Sequence, residues 1–132
     1  MKTEANVLDD LRTALTGSTL DTTVTGNIYT DKRPLNSKLE DIFIRVKALD
    51  FGQVQRAIIG IYIYVPNLKR GSDSIPNRKR ARTLMSVAVN LLCDYQAASG
   101  WRLRLTDQKL EDAADEEQSV IVHNLVYSHC NN

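Results

Sequence analysis

The sequence predicts a single α+β domain, residues 1–132: a mainly antiparallel sheet of 4–5 strands, packed by a long helix over about 77–98 and a short N-terminal helix over about 4–15. Three observations carry this. From Val54 to Val65, Ala57, Ile59, Ile61, Ile63 and Val65 alternate with Arg56, Ile58, Gly60, Tyr62 and Tyr64, a long β-branched and aromatic strand. Ala81, Leu84, Met85, Ala88, Leu91, Leu92 and Tyr95 recur at helical spacing. Between Ser119 and Ser128 apolar residues fall on both sides of a strand, so that strand is central or covered on both faces.

The elements follow in order. Val7, Leu8, Leu11, Ala14 and Leu15 make one apolar stripe, and Gly17 suits the helix end. Ser18–Thr25 is Thr-rich and reads as turns. Gly26-Asn27-Ile28-Tyr29 reads as a short edge strand closed by Asp31 and Pro34. Ile42, Ile44 and Val46 alternate with Phe43, Arg45 and Lys47. Asp50-Phe51-Gly52 then turns this strand into the long one as an antiparallel hairpin. Gly60 marks a bulge or a close approach. Pro66–Pro76 reads as the main loop, and Asn77 as the N-cap of the long helix, which Ser99-Gly100 ends. Val87 and Val89, off the stripe, widen the buried face or mark a subunit contact. Trp101, Leu103 and Leu105 alternate with Arg102 and Arg104 in a strand over 101–106. Leu110–Gln118 reads as an exposed acidic loop.

Composition sets bounds on function. Hydrophobic residues are 42%, charged residues 25% and net charge +1, so no global field draws in nucleic acid or membrane. The uncharged run Ala57–Leu68 is far shorter than the roughly 20 residues of a membrane span, and no apolar signal core opens the chain. A soluble protein of the cytosol is expected. Cys93 is expected as a small buried hydrophobe and Cys130 as part of a frayed end. No phosphate-binding glycine loop, nucleophile elbow or zinc-protease helix occurs. His123, His129 and Cys130 lack a fourth ligand at metal spacing. The sequence therefore points to no catalytic residue, cofactor or metal.

Charge is distributed unevenly. Lys69, Arg70, Arg78, Lys79, Arg80 and Arg82 stand against Asp73 alone. Asp107, Glu111, Asp112, Asp115, Glu116 and Glu117 stand against Lys109 alone. Each run reads as a solvated face or as an interface. Lys69, Arg70, Arg78, Lys79, Arg80, Arg82, Glu111, Asp112, Asp115, Glu116 and Glu117 are the candidate interface residues. The two patches meet within one chain, or between copies in the head-to-tail contact that closes rings. Four bases at a helix start oppose the helix dipole, which an anionic partner would offset. The internal alternative is pairing with Glu40, Asp41 or Asp73. Reversing Arg78, Lys79 and Arg80 to Glu is expected to leave folding nearly intact and to abolish ring formation or head–tail joining. A separate reading makes 69–82 the contact of a small nucleic-acid-binding module.

The order of elements is also specific. The N-terminal helix VLDDLRTAL precedes Gly26-Asn27-Ile28-Tyr29 and Arg33-Pro34. The hairpin DIFIRV and IIGIYIYVP comes next, then a long helix and two closing strands. This pattern resembles the tail-completion and tail-terminator proteins of long-tailed bacteriophages and prophages. The resemblance implies a non-enzymatic subunit of a hexameric ring that caps the tail tube and contributes to head–tail joining. It implies as partners copies of itself, tail-tube and head-connector proteins, and DNA in the channel, with no membrane. It places the chain in the host cytoplasm during assembly and then in the virion tail. Asn67–Asn77 is longer than the matching loop in much of that family.

Overall fold

The computed structural model describes residues 1–71, 73–113 and 117–131. Helices are α1 (Glu4–Leu15), α2 (Thr19–Thr23) and α3 (Arg78–Leu92). Strands are β1 (Ile28–Tyr29), β2 (Ile42–Leu49), β3 (Val54–Pro66), β4 (Leu68–Arg70), β5 (Asp73–Ile75), β6 (Asp94–Gln96), β7 (Arg102–Ala113) and β8 (Gln118–Cys130). Six strands form one sheet in the order β1-β2-β3-β8-β7-β6, and β4-β5 is a separate hairpin. Every described pair in the sheet is antiparallel except β1-β2. The fold class is therefore α+β, with six strands in the sheet where the sequence predicts 4–5.

Local chemistry explains the elements. Thr3 caps α1 in a reciprocal box with Asn6, and Val7, Leu11 and Leu15 are buried. Gly17, at φ 77°, supplies the left-handed residue just past the helix. In β3, Ala57, Ile59, Ile61, Ile63 and Val65 are buried as the alternation predicts. β8, between β3 and β7, is covered on both faces along Val120–His123. Asn77 caps α3 by accepting from the Arg80 amide at 3.2 Å.

Several expectations are corrected. The long helix stops at Leu92, not near Ala98, and the chain turns into β6. Tyr95 keeps helical spacing in sequence, but its ring stacks 5.2 Å from Trp101, which stacks 5.3 Å from Tyr127. This aromatic ladder holds the short β6-β7 hairpin, turned by Gly100 at φ 103°. Cys93 is exposed because it caps the shortened helix. The 66–76 loop contains the β4-β5 hairpin, with Gly71 at φ 64° in its turn. Ser18 caps α2 inside the expected turn region. Much of the expected acidic loop is the far half of β7, whose strand continues to Ala113. The bulge in β2 lies between Val46 and Ala48, not at Gly60. Gly60 is instead covered by the ring of Tyr62, and an added Cβ would lie 2.6 Å from that hydroxyl.

One face of the sheet carries the helices. α1 packs on β2, and α3 lies along β7 and β6 rather than along β3, sharing one core with the β3 isoleucines. Polar bonds fix both. The Tyr127 hydroxyl donates to Asp10 at 2.7 Å, and burial followed by this bond pushes the phenol well above its ordinary range. Gln55 bonds both the amide and the carbonyl of Lys2, at 2.7 and 2.9 Å. At the sheet centre, His123 pairs through Nδ1 with the Ile61 carbonyl at 3.0 Å. Gln108 donates to the Met85 carbonyl at 3.1 Å and lies 2.8 Å from His123 Nε2. A neutral imidazole with its proton on Nδ1 satisfies every member of this network.

The imidazole carries a pH dependence. Burial holds His123 below its ordinary 6.5, against the raising effects of the Ile61 carbonyl and Asp107. His129 is also lowered, by burial, Lys2 and the terminal amine. The unfolded chain therefore binds more protons below about pH 6.5, so stability falls as pH drops from there towards the folded values. Thermal midpoints measured from about pH 8 to pH 5 should fall at the acid end, and less steeply in His123→Gln.

Candidate subunit interface

Two consecutive carboxylates organise the end of the sheet where β1 and β2 begin. Glu40 and Asp41 are 5% and 0% exposed, and a buried carboxylate persists only when paired and hydrogen-bonded. Arg33 provides this for Asp41: its Nε and Nη2 donate to Oδ2 at 3.2 and 3.0 Å, beside the Ser37 hydroxyl at 2.6 Å. The third nitrogen of that guanidinium donates to Gln118 at 3.1 Å, and its plane lies 3.7 Å from the Tyr64 ring centroid. Gly26 closes the cluster. A Cβ there would press on the Asp41 carboxylate and lie 2.7 Å from the Glu40 carbonyl oxygen. The Gly26…Arg33-Pro34 signature is thus part of one buried ionic knot.

Arg80 forms the second half of the knot. Its Nε and Nη2 donate to the two Glu40 oxygens at 2.7 and 2.8 Å, and Nη2 also reaches the Thr23 carbonyl at 2.6 Å. The bond to Glu40 raises the guanidinium pKa, with burial opposing. This bidentate pair ties α3 to α2 and to the start of β2. It is the internal pairing with Glu40, and it gives Arg80 a partner within the chain.

The other predicted residues divide as follows. Lys69 on β4 pairs with Glu117 at 2.9 Å, and the Asn67 amide donates to the Glu117 carbonyl at 3.0 Å. The basic and acidic runs therefore touch within one chain, and Lys69 holds the Glu117 carboxyl below its ordinary range. Glu111 pairs with Lys109 at 2.6 Å on the same strand, which raises the lysine. Arg78, Lys79, Arg82 and Asp112 are exposed, with no ion pair among the described residues. Asp115, Glu116 and the Arg70 side chain lie outside the described residues.

Between α3 and β7 runs an open groove of about 510 Å³. Arg78 and Arg82 stand beside it, with Met85, Val89 and Leu110 as its apolar lining. Val89, off the helix stripe, faces this groove. The structure also shows sheet edges that periodicity could not reveal. β1 pairs with β2 only at Ile42 and Phe43, so the outer edge of β2 from Ile44 to Leu49 has no strand beside it among the described residues. β6 pairs with β7 only over Arg102–Arg104, so the edge of β7 from Leu105 to Ala113 likewise has no strand beside it among the described residues. Among the described residues no three His, Cys, Asp or Glu side chains gather as a metal site. No described helix is long and apolar enough to cross a membrane. No protein-family model matches the chain, and no curated protein matches it.

Proposed function

We propose that this chain is a non-enzymatic structural subunit of a phage or prophage tail, acting by assembly into a hexameric ring that caps the tail tube and contributes to head–tail joining. Besides the order of elements, the observation that carries this reading is the pair of unlike sheet edges that have no strand beside them among the described residues. A cyclic assembly of more than two copies needs two different surfaces per subunit. An uncovered strand edge is a template for pairing with another chain. The two edges also differ in charge. β2 presents exposed Arg45 and Lys47, and β7 presents exposed Asp107, Glu111 and Asp112 with Lys109 among them, an acidic excess on that strand. Edge-to-edge contact of β2 with a neighbour's β7 gives attraction and register together. The tail-tube and head-connector proteins would meet the ring's two ends.

Charge reversal tests the reading. Arg45→Glu with Lys47→Glu should abolish assembly while lowering the unfolding midpoint only modestly, because both side chains are exposed and the change removes one surface hydrogen bond, from Lys47 to Asn124. Adding Glu111→Lys and Asp112→Lys should restore it. If the first double variant assembles as before, these edges are not the contact.

A further inference from the structure

The sheet face opposite the helices holds a cluster of charge that neither the core nor the ring contact uses. The strand register sets Arg56 of β3, Ser128 of β8 and Arg102 of β7 directly opposite one another in one row. In the adjoining row Val126 stands opposite Arg104. These residues, with Thr106, line a pocket of about 480 Å³. The carboxylate there, Asp94, lies 3.6 Å from Arg102, and both side chains are more than half exposed. Arg56 and Arg104 have no ion pair among the described residues.

Asp94 offsets one of the three positive charges on this face, and the two left over repel each other unless a further anion sits among them. Guanidinium groups match the oxygens of carboxylates and phosphates in fork geometry. A carboxylate has two oxygens and one charge, too few for three guanidiniums approaching from two strands. A terminal phosphate has three oxygens and close to two charges. We propose that Arg56, Arg102 and Arg104, with the Ser128 hydroxyl between them, form a binding pocket for a terminal phosphate group. The group belongs to a free phosphate or to the phosphorylated end of a nucleic acid. The proposal is independent of the ring reading.

The full chain is titrated by calorimetry with inorganic phosphate, with pyrophosphate, and with an oligonucleotide carrying or lacking a terminal phosphate. Binding should weaken by about tenfold or more in Arg56→Gln and in Arg104→Gln, the scale of one lost charge-assisted contact. It should tighten in Asp94→Asn, which removes the competing carboxylate, and stay unchanged in Arg12→Gln, an exposed position on α1. Arginine-dependent binding of the inorganic ions identifies a small-anion pocket. Arginine-dependent binding restricted to the phosphorylated oligonucleotide identifies a nucleic-acid end. Unchanged unfolding midpoints in the exposed Arg56 and Arg104 variants separate lost binding from lost fold. Absence of binding by all four probes, or binding indifferent to Arg56→Gln and Arg104→Gln, overturns the proposal.

Discussion

Arg33→Ala is expected to destabilise the fold by about 3–5 kcal/mol, because it strands the fully buried Asp41 carboxylate without its cation. Arg80→Ala should cost less, since the Arg80 side chain is 32% exposed and water can approach the Glu40 carboxylate it leaves. Arg78→Ala and Lys79→Ala should each stay within about 0.5 kcal/mol, as exposed substitutions do. Urea unfolding midpoints of the four variants give this ranking. Replacing Arg33 and Asp41 together by apolar residues should cost much less than Arg33→Ala alone, because no buried charge remains unpaired. The ranking also revises the reversal of Arg78, Lys79 and Arg80 as a block. Arg80→Glu would set a second carboxylate against Glu40 and unsettle folding, so the exposed cations have to be tested without it.

Leu84→Ala is expected to cost about 2–5 kcal/mol, the range for a fully buried leucine whose cavity cannot collapse. Leu91→Ala should cost clearly less, because Leu91 lies at the half-buried margin of the same core. The sequence stripe treats the two as equals. Only the packing of α3 along β7 and β6 separates them. Equal losses at both positions would place the helix differently from the structure.

The legible parts of the fold were those where one periodicity holds without competition. α1, β2, β3 and β8 bury the side chains that their spacing indicates, because each presents a continuous apolar face to one core. The end of α3 was not legible, since Tyr95 has the right spacing for a helix while its ring belongs to the ladder with Trp101. The far half of β7 was not legible either. Leu110 is the one aliphatic residue between Asp107 and Asp112, and an edge strand with charged residues resembles a solvated loop. Glu40 and Asp41 were recognisable as internal partners, but Arg80 lies 40 residues from Glu40 and nothing local selects that pair over Asp73. The pocket around Arg56 needed the register of three strands to bring its arginines together.

The claim that matters most is that copies of this chain close into a ring through unlike edges. Native mass spectrometry combined with electron-microscopic class averages, over a rising concentration series, tests it most directly. The expected result is a closed particle of six copies with cyclic symmetry, lost in Arg45→Glu with Lys47→Glu. Assembly that stops at a two-fold dimer, or a chain that stays monomeric at millimolar concentration, would contradict it.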